Sequence, residues 1–136
     1  MLFSGGLLEH GAQRTDVSSA FLYDPGTGRF DQTGPLLHAR DTATATRLAD
    51  GRVLVAGGYT EDANAPATAK GPVMMSLASA ELYDPATGLF SDAGSMTTAR
   101  ASHTATLLHD GRVLIAGGVD AGSGYDMFSS AELYEP

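Results

Sequence analysis

Two arginines, Arg40 and Arg100, stand 60 positions apart in matching surroundings, each just ahead of a Thr/Ala stretch. His103 follows the second, where the earlier copy has Ala43. Guanidinium groups recognise carboxylates and hydroxylated ligands through paired hydrogen bonds. Tyr59, Glu61 and Asp62 follow one Gly-Gly pair, and Asp120, Tyr125 and Asp126 follow the next. These six supply rings and carboxylates at positions that differ between the copies, as variable contacts to a ligand would. The competing reading is that a residue repeated in every copy serves the scaffold. Arg40 and Arg100 would then cap carbonyls where the chain crosses between units, and His103 would bond a backbone group.

Other reactive side chains point away from catalysis. Asp24 and Asp84 precede Pro and suit a turn. Glu61-Asp62 and Asp120…Asp126 lack the dense acidic spacing of a calcium loop. His10, His38 and His109 are scattered, with no pair at metal-ligand spacing. There is no cysteine for a disulfide, thiolate site or nucleophile, and no nucleophile-elbow, phosphate-loop or HExxH pattern. No catalytic residue, metal or cofactor is therefore assigned.

Charge and hydropathy narrow the partners. Sixteen acidic against eight basic residues, with Lys70 the only lysine, leave a net charge of −8 that repels a phosphate backbone. Nucleic acid is not expected. The longest aliphatic runs, Val53-Leu-Val-Ala56 and Val113-Leu-Ile-Ala116, are too short to enter a bilayer as spanning helices. Met1–Gly6 shows no export signal, which in a piece of a longer protein leaves the compartment open.

The candidate residues sit in a repeated framework. Placing Tyr23 on Tyr83 superposes Ser19–Gly58 on Ser79–Gly118 without a gap, and more than half of the positions are identical. Flanking partial copies, Gly5 onto Gly57 and Tyr83 onto Tyr134, give a basic period near fifty. Each unit reads as four strands with no helical period. The first is Thr42–Leu48 or Ser102–Leu108, small residues suiting a crowded strand. The second, Arg52–Ala56 or Arg112–Ala116, is aliphatic throughout and expected to be buried on both faces. Asp50-Gly51 and Asp110-Gly111 predict two-residue hairpin turns between them. The third strand is Ala20–Tyr23, Ala80–Tyr83 or Ala131–Tyr134, and the fourth begins near Phe30 or Phe90 after Asp-Pro-Xaa-Thr-Gly.

A Gly-Gly doublet after an aliphatic strand, a later Tyr, and an aromatic seven residues beyond it, at a period near fifty, together resemble the Kelch-repeat β-propeller family. Tyr-Asp-Pro-Xaa-Thr-Gly and Asp-Gly-Arg-Val-Leu-Xaa-Ala-Gly-Gly are similar to its bacterial, galactose-oxidase-like form. Phe30 and Phe90 stand where the usual motif has Trp. The resemblance implies an all-β fold of four-stranded antiparallel propeller blades: a partial blade at 1–32 (strands two to four), a complete one at 41–92, and a partial one at 101–136 (strands one to three). That makes about two and a half blades, an incomplete propeller. The remaining blades of a longer parent chain are the expected neighbours. Head-to-tail self-association would leave a fourth and a first strand absent at each joint.

In such blades the tight turns lie on one side. The long connections Leu7–Val17, Tyr59–Leu77 and Val119–Phe128 lie on the other, with Arg40 and Arg100. Variable loops on a constant scaffold are where recognition is placed. The expected function is non-catalytic binding of a protein or carbohydrate partner through that side. The alternative is a fragment of a secreted carbohydrate-active propeller enzyme whose catalytic residues lie elsewhere. The copper and Tyr–Cys chemistry of galactose oxidase is unavailable without cysteine.

Overall fold

The computed structural model describes residues 1–10, 13–66, 72–122 and 124–136. The first repeat supplies β1 (Leu2–Ser4), β2 (Leu7–His10), β3 (Gln13–Asp16), β4 (Ala20–Asp24) and β5 (Arg29–Thr33). The second supplies β6 (Thr44–Arg47), β7 (Val53–Ala56), β8 (Tyr59–Glu61), β9 (Met74–Ser76), β10 (Ser79–Asp84) and β11 (Leu89–Ser95). The third supplies β12 (Thr104–Leu107), β13 (Val113–Ala116), β14 (Val119–Asp120), β15 (Asp126–Met127) and β16 (Ala131–Tyr134). The fold is all-β and antiparallel, with no helix among the described residues.

Three sheets carry the repeats: β1-β4-β5, then β11-β10-β7-β6, then β12-β13-β16. Small side chains let β12 lie alongside β6 without pairing with it. The long connections are not irregular loops: each contains a two-stranded hairpin, β2-β3, β8-β9 and β14-β15. Their short, mixed sequences lack the alternation that would mark a strand in advance. Residues 11–12, 67–71 (Lys70 among them) and 123 of these connections lie outside the described residues.

The hairpin between the first two strands of a unit is longer than its Asp-Gly pair predicts. The Leu48 amide donates to the Arg52 carbonyl and the Gly51 amide to the Leu48 carbonyl, at 2.8 and 3.1 Å. The loop is therefore three residues, Ala49–Gly51, a type I turn followed by a left-handed glycine at φ 94°. His109–Gly111 repeats it, with Gly111 at φ 89°. Asp50 and Asp110 each accept the amide and guanidinium of the following Arg, which stiffens the turn and keeps both carboxyls below their usual pKa. Asp24 caps its turn likewise, accepting from the Gly26 amide and the Thr27 hydroxyl.

Two cores lie between the sheets. One holds Ala20, Leu36, Val55, Tyr83 and Phe90, joining the first sheet to the second. The other holds Leu48, Leu54, Ala56, Ala80, Leu82, Val113 and Ile115, joining the second to the third. Among the described residues only the central sheet is covered on both faces. In β7, Leu54 and Val55 are each 1% exposed, but in β13 Leu114 and Ala116 are half-buried because that face has no neighbour. The expectation of two-sided burial therefore holds for β7 and fails for β13.

The same residue at the same repeat position thus has two environments, which makes an internal comparison. Leu82→Ala removes a buried side chain and is expected to cost about 2–5 kcal/mol. Leu133→Ala, at the equivalent but exposed position, should cost under about 1 kcal/mol. Urea unfolding of both variants at low protein concentration checks the difference.

Candidate functional site

Arg40 and Arg100 are among the most deeply buried side chains, at 1% and 0% exposure. Each closes the joint between a crossing segment and the next sheet. One terminal nitrogen of Arg40 donates to the carbonyls of Gly57 (2.9 Å) and Ser79 (3.0 Å); the other donates to Ser79 Oγ (3.1 Å) and Glu81 Oε1 (2.6 Å). Glu81, 1% exposed, also accepts the amides of Leu37 and His38. Arg100 repeats the arrangement with Gly117, Ser130 and Glu132, and Glu132 accepts the amides of Thr97 and Thr98. The arginines do fall at the connection side, but their terminal nitrogens are engaged within the fold and both side chains are closed off from solvent, Arg100 Nε lying buried without a hydrogen-bond partner among the described residues. Burial opposes ionisation of Glu132. The hydroxyl and amide of Thr97, then Arg100 and the Thr98 amide, outweigh it and hold the carboxyl below its ordinary value.

Glycine makes the close approach possible. Gly58, at φ 103°, donates its amide to the Arg100 carbonyl, and a Cβ there would run into the Asp41 carbonyl. His103 is 6% exposed, with Nε2 2.8 Å from the Thr44 hydroxyl, so it bridges β12 to β6 rather than facing solvent. Burial and the charge of Arg100 push its pKa down, so the folded protein holds it neutral.

Three of the other candidates do converge. Tyr59, Glu61 and Tyr125 line a cavity of about 340 Å³ on the connection side, together with Asp16, Asp41 and Thr42. The Tyr59 and Tyr125 rings meet edge to face at 6.2 Å. Burial raises the Tyr59 pKa against a hydroxyl bond with Ser102, and the neighbouring Tyr125, Asp41 and Asp120 push it further the same way. Thr42 and Tyr125 both have positive φ, 46° and 69°, a conformation that side chains of their kind rarely adopt. The backbone amide of Tyr125 donates to the Asp120 carbonyl, which holds the ring over the cavity.

Asp62, Asp120 and Asp126 do not line it. Asp62 and Asp120 accept the amides of Asn64 and Gly122 in tight turns, and Asp126 is exposed in β15, opposite Asp120. Asp16 and Asp41 escape a reading of the sequence because the cavity joins separate repeats. The departure of Asp41 from its repeat partner Ala101 is the one available signal.

Chemically the cavity offers hydrogen-bond acceptors and ring faces. Its described lining carries three carboxylates and no basic side chain, so it favours hydroxyl or ammonium donors and disfavours anions. Among the described residues no three His, Cys, Asp or Glu stand together as a metal-binding group.

No family model and no curated protein matches the chain. Among solved structures, that of YjhT is similar in fold, with a TM-score of 0.65 at 17% identity over 88% of this chain. The matched region is 35% of YjhT, so the chain spans about a third of that protein's length.

Removing one member of the Arg40–Glu81 pair leaves a buried charge unpaired. Glu81→Ala is expected to destabilise by about 3–5 kcal/mol, and Arg40→Met with Glu81→Leu should recover only part of the loss, because the Gly57 and Ser79 carbonyls lose the guanidinium and the Leu37 and His38 amides lose the carboxylate. Denaturant titration of the single and double variants measures it. The lowered His103 pKa sets a pH dependence: the unfolded chain takes up a proton near 6.5 and the folded one only at lower pH. Stability should therefore be complete above pH 6.5 and fall below it. His103→Gln should flatten that fall below pH 6.5 in unfolding curves recorded across the range.

Proposed function

We propose that the chain is a Kelch-type β-propeller segment of about two and a half blades, a non-catalytic module that binds a carbohydrate through its long-connection side. The repeated Gly-Gly, Tyr-Asp-Pro and Asp-Gly-Arg motifs support the family. The antiparallel four-stranded order β11-β10-β7-β6 and the fold likeness to YjhT are compatible with blades. One observation carries the binding function: the cavity bounded by the Tyr59 and Tyr125 rings and the Asp16, Asp41 and Glu61 carboxylates.

Rings accept the C–H face of a sugar while carboxylates accept its hydroxyls, and a cavity of about 340 Å³ lies within the range of small-ligand sites. The negative lining selects neutral or amino sugars over acidic ones. The recognition surface thus shifts from the arginines to the tyrosines and carboxylates. A protein partner presenting hydroxyl or ammonium groups would use the same features.

Binding to an array of neutral, amino and acidic glycans tests this. Neutral or amino glycans should bind, acidic ones should not, and Tyr59→Ala or Asp41→Asn should weaken binding by about tenfold or more, on the order of 1.4 kcal/mol. Preferential capture of acidic glycans, or chemical turnover of a bound sugar, would refute the proposal.

A further inference from the structure

Backbone pairing sets two carboxylates beside the rings of the cavity. Asp41 and Tyr59 form an isolated antiparallel bridge, exchanging both backbone hydrogen bonds at 3.0 and 2.9 Å, so their side chains leave the backbone on one side. Glu61 follows two residues after Tyr59 in β8 and therefore shares its face, opposite Met74 of β9. Tyr125 reaches the same cavity from the hairpin of the next repeat, its ring turned 74° to that of Tyr59. Ring faces of two directions thus border the same space as both carboxylates.

Among the described residues no cation meets these two carboxylates. Asp41 accepts one side-chain hydrogen bond, from the Thr42 hydroxyl at 3.1 Å, and Glu61 accepts none. Arg40 and Arg100 are held by Glu81 and Glu132, and Arg52 and Arg112 by Asp50 and Asp110. Arg47 and Arg52 stand at the far ends of β6 and β7 from Asp41 and Tyr59. A four-residue strand is about 13 Å long, beyond the screening length of about 8–10 Å in ordinary salt. A half-buried carboxylate without a partner gains most from a ligand that brings the missing charge. The ring faces attract a cation as well, so both features select the same sign.

We infer that the ligand is an amino sugar recognised through its protonated amine, the ammonium against Asp41 and Glu61 and the C–H face of the sugar on the Tyr59 and Tyr125 rings. The inference rests on the carbohydrate reading above and narrows it from sugars that are merely not acidic to sugars that carry a positive charge. An ammonium offers three donors and a full charge, where a hydroxyl in the same place offers one donor and none. Two carboxylates are more than a single hydroxyl can satisfy, and a site built around charged acceptors discriminates against the isostere that leaves them unpaired. A neutral sugar keeps the ring contacts and loses the charge, so it binds the same cavity more weakly. A simple alkylamine keeps the charge and lacks a face broad enough for the two rings.

Calorimetric titration of the 136-residue protein with two disaccharides of one shape tests this. Cellobiose and the glucosamine dimer of the same linkage present the same ring faces, and differ in carrying a hydroxyl or an ammonium beside each anomeric carbon. With the amine protonated, the glucosamine dimer should bind at least about tenfold more tightly. That advantage should shrink as salt rises from about 0.01 to 1 M, where the screening length falls from about 30 to 3 Å. Glu61→Gln should remove most of the advantage and leave cellobiose binding in place, which also shows that the variant is folded. Tyr125→Ala should weaken both disaccharides alike. Equal affinity for the two, or an advantage that Glu61→Gln leaves intact, would overturn the ammonium assignment while the carbohydrate reading stands. Propylamine bound as tightly as the glucosamine dimer would overturn the assignment to a sugar, and binding of neither disaccharide would remove the carbohydrate reading itself.

Discussion

A buried guanidinium at each sheet joint is the constraint on which the rest of the chain depends. Where a strand ends in Gly-Gly and the chain crosses to the next unit, several backbone carbonyls converge. Arg40 and Arg100 fill that space with planar donors, and Glu81 and Glu132 balance the charge while holding the amides of the crossing segment. A buried charge is tolerated only when its partners are all in place. The crossing, the glycine turn and the third strand must therefore adopt one arrangement together.

With the joints held in this way, the long connections are free to differ between repeats. The three hairpins β2-β3, β8-β9 and β14-β15 grow from the same scaffold positions, yet the cavity draws unequally on them. Asp16, Glu61 and Tyr125 come from three different repeats. The strained backbone at Thr42 and Tyr125 lies at this cavity, and such strain of about 1–3 kcal/mol persists only where surrounding contacts enforce it. Ser102 shares the conformation of Thr42, so at that position the strain belongs to the repeat, whereas Tyr125 is particular to its hairpin.

Repetition also has a consequence for the outer surfaces. A unit whose two faces are complementary buries both only when flanked on each side, as the central sheet is here. Phe30 and Leu133 are ordinary core residues by type and repeat position, and they are exposed on the outer faces of the first and third sheets where Phe90 and Leu82 are buried.

What the sequence alone determined is whatever local periodicity and repetition encode. Alternating small residues, aliphatic runs and Asp-Pro turns placed all ten strands of the three sheets within a few residues. The repeat offset identified Arg40 and Arg100 as equivalent. Tertiary structure decided what those arginines touch, since Glu81 lies 41 positions from Arg40 and neither residue signals the other in isolation. It also decided the three-residue hairpin loops, where a backbone bulge at Gly51 and Gly111 replaced the expected two-residue turn. Most of all it decided the cavity, because Asp16, Asp41, Tyr59 and Tyr125 meet only when three repeats stack. A side-chain cluster assembled from separate units has no spacing to be read along the chain.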